Sequence, residues 1–221
     1  MSQNLHKFGT FYELTTLELS QLFTIFGTVL DLKAIENRVD KGEIFFIADF
    51  TELGNYEAVR KSLQRLTKDE SIERIAKGIY FLPKKHERLG IIYPHAEQIA
   101  KAIAKRDKAR IIATGSTALN LLGISTQIPL KVVFLTDGSA RKIKVGKQTI
   151  EFKKTNPKNL SIEHRLANLV IQGLKAIGEK NVTQEQLQQI QSIIDQSDQR
   201  ELVYQNLKNA PVWIQKKILS K

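Results

Sequence analysis

The chain has 221 residues, 42% hydrophobic and 26% charged, values that exclude a collagen-like, low-complexity or wholly disordered protein. It contains no cysteine, which excludes disulfides and any thiolate zinc or iron–sulfur site. Lys and Arg number 34 against 23 Asp and Glu, a net charge of +11 and a pI near 9.7 that favour a polyanionic partner, nucleic acid first and an acidic protein or membrane surface second.

Residues 1–30 read as an N-terminal extension. Their apolar stretch, 17–30, is broken by Glu18, Ser20 and Gln21 and falls short of the ~20 apolar residues of a membrane span. Lys7 alone makes a poor signal-peptide n-region, and no small-residue cleavage site follows. A docked or dimer-forming helix in a cytoplasmic protein is expected.

From Asp31 the pattern becomes regular. Leu32, Ile35 and Val39 recur at helical spacing, which predicts a helix over 31–41 stopped by Gly42. Residues 43–48 form a short apolar strand or extended segment. A short helix begins at Asp49-Phe50-Thr51 and ends at Gly54. Asn55 is a good N-cap for a helix running to about Lys68. Two apolar strands, 72–75 and 79–82, follow as a hairpin over Ala76-Lys77-Gly78, with glycine where a positive φ is needed. Pro83-Lys84-Lys85 closes the unit.

Helix, short strand, helix, helix and two-stranded hairpin is the order of a winged helix-turn-helix, here over residues 31–90. On the third helix Val59, Leu63 and Leu66 make the buried stripe. Glu57, Lys61, Gln64 and Lys68 lie opposite, flanked by Arg60 and Arg65. Lys and Arg neutralise phosphates or reach guanine, and Gln can pair with an adenine edge. The candidate DNA contacts are Asn55, Tyr56, Arg60, Lys61, Gln64, Arg65, Lys68, Arg74 and Lys77, the last two at the hairpin tip.

Residues 91–221 read as a mixed α/β domain with a helical end. Residues 94–108 form a helix entered at Pro94-His95, with Ile99, Ala100, Ile103 and Ala104 as its apolar face. A strand at 110–113 leads through Thr114-Gly115-Ser116-Thr117 to a helix at 118–122. A buried-type strand, 131–135, ends in a turn at Thr136-Asp137-Gly138. Residues 142–145 and 148–152 form a hairpin over Gly146-Lys147. Ile143, Val145, Ile150 and Phe152 pack inward there, and Lys142, Lys144 and Lys153 alternate outward. Helices follow at 165–176, ending near Gly178, at 184–194, capped by Thr183, and at 212–219, opened by Pro211. Trp213 is expected to anchor the core.

Charge is uneven along this chain. Residues 1–110 hold 18 Lys and Arg against 15 acids, and residues 111–221 hold 16 against 8. Arg141, Lys142, Lys144, Lys147, Lys153, Lys154 and Lys158 face only Glu151, a local basic stripe.

Catalytic signals are thin. Gly115-Ser116 at a strand-to-helix junction and Asp137 after an apolar strand match two elements of a nucleotidyltransferase. Position 135 is Leu and 139 is Ser, so the paired acids that hold the metals of phosphoryl transfer are missing. The plainer reading has Ser116 or Thr117 capping a helix and Asp137-Gly138 making a turn. His6, His86, His95 and His164 show no ligand spacing. No metal, cofactor or catalytic residue is expected.

Several motifs together resemble bacterial AbiEi-like antitoxins and transcriptional regulators. They are Lys41-Gly42-Glu43-Ile44-Phe45-Phe46 with Asp49-Phe50, Val59-Arg60-Lys61-Ser62-Leu63-Gln64-Arg65-Leu66, and Ile75-Ala76-Lys77-Gly78-Ile79-Tyr80. In the second half they are Thr114-Gly115-Ser116-Thr117-Ala118-Leu119-Asn120-Leu121-Leu122-Gly123 and Leu135-Thr136-Asp137-Gly138. The resemblance spans about residues 32–177. It implies a winged helix that binds double-stranded operator DNA and represses its own operon. It also implies a second domain that counteracts a nucleotidyltransferase-type toxin in a type IV system, where the two proteins need no stable complex. Carried over, Arg60, Lys61, Gln64 and Arg65 fall on the recognition helix and Lys77 on the wing. Arg141, Lys142, Lys144, Lys147, Lys153 and Lys154 fall on a basic hairpin of the antitoxin domain. No enzymatic activity and no membrane partner follow from it. Two other readings stay open: an interaction module whose basic hairpin docks an acidic partner, and a divergent nucleotidyltransferase-like enzyme.

Overall fold

The computed structural model describes residues 30–162 and 164–219. The expected N-terminal helix, up to residue 29, lies outside them. The described residues form a mixed α+β fold with several sheets.

Helix α1 (Leu32–Glu36) starts where the Asp31 carboxylate accepts from the Ala34 N–H at 2.8 Å. It ends five residues earlier than the periodicity predicts. Arg38 N donates to Ile35 O at 2.9 Å, a three-residue step that closes the turn and still lets Val39 reach the core. Strand β1 (Ile44–Phe46) is shorter than expected for a similar reason. The Asp49 carboxylate accepts from Phe46 N at 2.8 Å and draws residues 47–53 into a 3₁₀ helix, which begins two residues before the predicted short helix. Helix α2 (Tyr56–Lys68) follows, then strands β2 (Glu73–Ala76) and β3 (Ile79–Phe81). These strands are displaced by one residue from expectation at three of their four ends. A register shift between Arg74 and Ala76 carries β2 through Ala76, so the turn is Lys77-Gly78, with Gly78 at φ +72°.

The three strands pair in the order β1-β3-β2, and both faces of this small sheet are covered. Alternation along a strand sends successive side chains to opposite faces. Phe45 and Tyr80 therefore turn to one core with Phe50, Leu63 and Ile72, with their rings stacked 5.8 Å apart. Phe46 and Ile79 turn to the other, which belongs to the C-terminal half. Burying two such side chains stabilises the junction by about 1.5–3 kcal/mol each. The Arg106 guanidinium lies 4.4 Å from the Phe46 ring centre and adds to it.

After α2 and its hairpin, the sequence Pro83-Lys84-Lys85 does not simply close the unit. It leads into a two-stranded ribbon, β4 (Lys85–His86) and β5 (Gly90–Ile91), followed by helix α3 (Ala96–Arg106). His95 caps α3, its Nδ1 accepting from Gln98 N at 3.1 Å while the Gln98 side chain accepts from His95 N at 3.0 Å. Strand β6 (Ile111–Ala113), helix α4 (Ser116–Leu121) and strands β7 (Lys131–Thr136), β8 (Arg141–Val145) and β9 (Gln148–Lys154) build a sheet of order β6-β7-β9-β8. Only β7 and β9 pair in parallel.

Helix α5 (Arg165–Ile177) is buried over eight consecutive residues, Ala167 to Leu174, as befits the central helix of a layered core. A Cβ on Gly173 would lie 3.0 Å from Leu122 Cδ1, so glycine here permits the close approach of the segment after α4. Helices α6 (Gln184–Asp195), α7 (Arg200–Leu207) and α8 (Val212–Leu219) complete the core with Ile190, Ile194, Val203, Leu207, Ile214 and Ile218. Trp213 is half-buried against that core. No helix among the described residues is long and apolar enough to cross a membrane.

Candidate nucleic-acid interface

The N-cap of α2 sets the phase of everything that follows. The Asn55 Oδ1 accepts from Ala58 N at 2.9 Å, and Val59, Ser62, Leu63 and Leu66 then face the core. Asn55 is exposed, but its side-chain oxygen already serves the helix. Lys61, Gln64, Arg65 and Lys68 are exposed on the opposite side, and Tyr56 stands 57% exposed at the first turn.

Six of the nine predicted residues converge. Tyr56, Arg60, Gln64 and Lys68 from α2 face Arg74 and Lys77 from the β2–β3 hairpin across a groove of about 640 Å³. Buried Ile47 and Tyr80 also line it, and no acidic side chain among the described residues does. These two residues were not anticipated, because Tyr80 and Ile47 read from the pattern as ordinary core positions. Lys61 and Arg65 lie outside the groove, further round the exposed face of α2, and Asn55 lies at its end.

Arg60 is held in place from the helix itself. Its Nε and Nη2 donate to Glu57 Oε2 at 3.0 and 2.8 Å. That bond lowers the Glu57 carboxyl below its ordinary value and raises Arg60, so both stay charged. Arg74 Nε reaches Ala76 O at 3.4 Å, which leaves its two Nη groups directed elsewhere.

The basic hairpin divides differently from expectation. Lys142, Lys144 and Lys153 are exposed, as the alternation predicts, and Lys147 in the turn and Lys154 at the end of β9 are exposed as well. Arg141 is not part of an outward stripe. It pairs across β8–β9 with Phe152, on the core side of the sheet, with its guanidinium 5.3 Å from that ring. Burial and then the nearby Arg106 hold the guanidinium below its ordinary value, and Asp107 pairs with both arginines. Lys142 is exposed but paired, its Nζ 3.7 Å from Glu151 Oε1, while Lys131 pairs with Oε2 at 2.7 Å. Glu151, read as the one acid in a basic run, is thus a hub that binds two of the lysines on the outer sheet face. Lys131 was missed because it lies ten residues upstream of the stripe and enters through the parallel β7–β9 register.

The strand-to-helix junction at Gly115 also differs. Neither Ser116 nor Thr117 caps α4; Gly115 occupies the cap position with φ +62°. Thr117 is buried, and its Oγ1 accepts from Val133 N at 2.9 Å, tying α4 to β7. Asp137 accepts from Arg110 N at 2.8 Å and from Arg110 Nε at 2.9 Å, which occupies both carboxylate oxygens and holds its carboxyl below the ordinary value.

With this geometry in view, residues 32–202 match the family described as DUF6088, a family of unknown function. The chain belongs to this family. The match covers the α2 groove, the four-stranded sheet and the start of the helical end. Among solved structures, this DUF6088 member is similar to the crystal structure of the RV2827C protein from Mycobacterium tuberculosis, with 10% identity, 85% of this chain and 79% of that chain covered, and a TM-score of 0.44. No curated protein matches the chain.

Proposed function

We infer that the chain is a DNA-binding transcriptional autoregulator whose residues 31–90 act as a winged helix-turn-helix. In this reading α2 enters the major groove, with Gln64, Lys61 and Arg65 toward base edges. Arg60, Lys68, Arg74 and Lys77 take phosphates, the last two from the wing. One observation carries it: four cations from two separate elements line one groove, with no acid among the described residues of its walls. Arg60 is shared with Glu57, but among the described residues no acid pairs with Lys68, Arg74 or Lys77, and a polyanion is the partner that relieves these like charges. The AbiEi-like motifs support the same reading and add a second role, antitoxicity against a nucleotidyltransferase-type toxin, in residues 91–221.

A reporter driven by the DNA upstream of the chain's own gene tests the first role. Repression by the wild-type chain, lost on Lys61→Glu with Arg65→Glu, is the expected result; equal reporter output with and without the chain would sink it. For the second role, co-expression with a nucleotidyltransferase-type toxin encoded beside the gene should restore growth. Continued arrest would remove the antitoxin reading while leaving the regulator intact.

A further inference from the structure

A second cavity, of about 460 Å³, opens between α3, strands β6 and β7 and the first turns of α5. That volume falls within the ~300–1,000 Å³ typical of small-molecule sites. Ala113, Phe134, Leu160, Ile162 and Leu169 give it an apolar interior. Its rim carries Glu97, Lys101, Arg110 and Arg165.

Hydrogen bonding at the rim sets the chemistry of an occupant. Glu97 Oε1 accepts from Arg165 Nε at 3.2 Å and Nη2 at 2.8 Å, and pairs with Lys101 Nζ at 2.9 Å. Its Oε2 accepts from Arg165 Nη2 at 3.1 Å. Burial alone would push the Glu97 carboxyl up, but the bonds from Lys101 and Arg165 hold it below its ordinary value. Glu97, the one carboxylate that lines the cavity among the described residues, is therefore ionised and occupied. Arg110 commits its Nε to Asp137, while its two Nη groups remain for another acceptor. The side chains of Lys101, Arg110 and Arg165 are 57%, 56% and 59% exposed, so their remaining donors meet solvent. Among the described residues the three cations of the rim meet two acids, Glu97 beside Lys101 and Arg165 and Asp137 beside Arg110, and an apolar interior beneath this net positive rim selects an acceptor-bearing, negatively charged head on an apolar body.

We propose that this cavity binds a small organic anion, a carboxylate on a compact apolar ring or chain. The body sits against Phe134, Leu160 and Leu169, and the carboxylate is received at the Arg110 and Arg165 rim. This site stands whether or not α2 reads DNA.

Calorimetric titration of the full chain with 1-naphthoate, its uncharged alcohol analogue 1-naphthalenemethanol and the cationic 1-naphthylmethylamine tests it. Naphthoate should bind saturably with one site per chain, and the other two compounds at least about tenfold more weakly. Arg165→Gln, which leaves Glu97 paired with Lys101, should weaken naphthoate about tenfold. Ile162→Trp, which fills the cavity, should abolish binding. Equal affinity for the three compounds, naphthoate binding indifferent to both substitutions, or no saturable binding would each overturn the proposal. Should either variant fail to fold, methyl NMR of the wild-type chain decides. Naphthoate should move the Leu169 and Ile162 methyls and leave those of Ile35 and Ile72 in place, and the reverse pattern refutes the site.

Discussion

The α2 groove and the outer face of the β8–β9 hairpin are both rich in Lys and Arg, yet they do different things with their charge. In the groove, Arg60, Lys68, Arg74 and Lys77 are brought together from a helix and a hairpin, no acid among the described residues lines the walls, and of the four cations only Arg60 has an acidic partner there, Glu57 of the same helix. Across the hairpin sheet, Glu151 lies between Lys131 and Lys142, and Arg141 turns inward to Asp107. Part of the denser charge run in the sequence is thus answered in the fold, at Arg141 and Lys142. Concentrated charge marks a polyanion site only where the topology leaves it unanswered.

Substitutions that break this contrast should rank accordingly. Lys61→Glu with Arg65→Glu reverses two exposed charges on the proposed reading face, and affinity for upstream DNA should fall by about 100-fold or more with an unchanged circular dichroism spectrum. Unaltered affinity would remove α2 from the interface. Arg74→Ala with Lys77→Ala should cost about tenfold and flatten the log–log salt slope by roughly 1–2 units, since each phosphate contact contributes about 0.9. An unchanged slope would mean the hairpin tip does not touch the backbone.

On the other surface, neutralising Lys144 and Lys153 should change the slope by at most about 2 units, and adding Lys142→Gln should change it by less again, because Glu151 already holds Lys142. A larger effect from Lys142 than from Lys144 would contradict the pairing. Arg141→Gln should leave DNA affinity alone and lower stability instead, by about 1–3 kcal/mol in denaturant unfolding, because it removes a partner of Asp107 and a cation above Phe152.

The smallest effect concerns pH. Lys131, with Lys142 and Lys153, holds the Glu151 carboxyl below its ordinary value of 4.5. A carboxyl lowered on folding stabilises the chain above that ordinary value, and the contribution is lost as pH falls through the lowered one. The wild-type advantage over Glu151→Gln should be present at pH 7 and vanish in strong acid. An advantage that persists there would assign it to packing.

Much of this contrast was legible in the sequence, and the failures have a common cause. The bounds of α2 follow from local chemistry, an Asn cap and a three-residue and four-residue apolar repeat, and so do the caps at His95 and Thr183. The exposure of Lys142, Lys144 and Lys153 follows from alternation alone. What escaped depends on partners distant in sequence or on a side chain that overrides a pattern. Asp49 pulls the backbone out of β1, Asp107 claims Arg141 from 34 residues away, and Lys131 reaches Glu151 through a parallel register. Thr117 escaped too, because a Ser-Thr pair before a helix reads as a cap until the neighbouring strand is known.

The most direct measurement is fluorescence anisotropy of the wild-type chain against the duplex upstream of its own gene and a scrambled duplex, across a salt series. A preference for the upstream duplex that survives at physiological salt, and collapses with Lys61→Glu and Arg65→Glu, is the predicted result. Equal, steeply salt-sensitive binding to both duplexes would contradict it and leave the groove a generic polyanion surface.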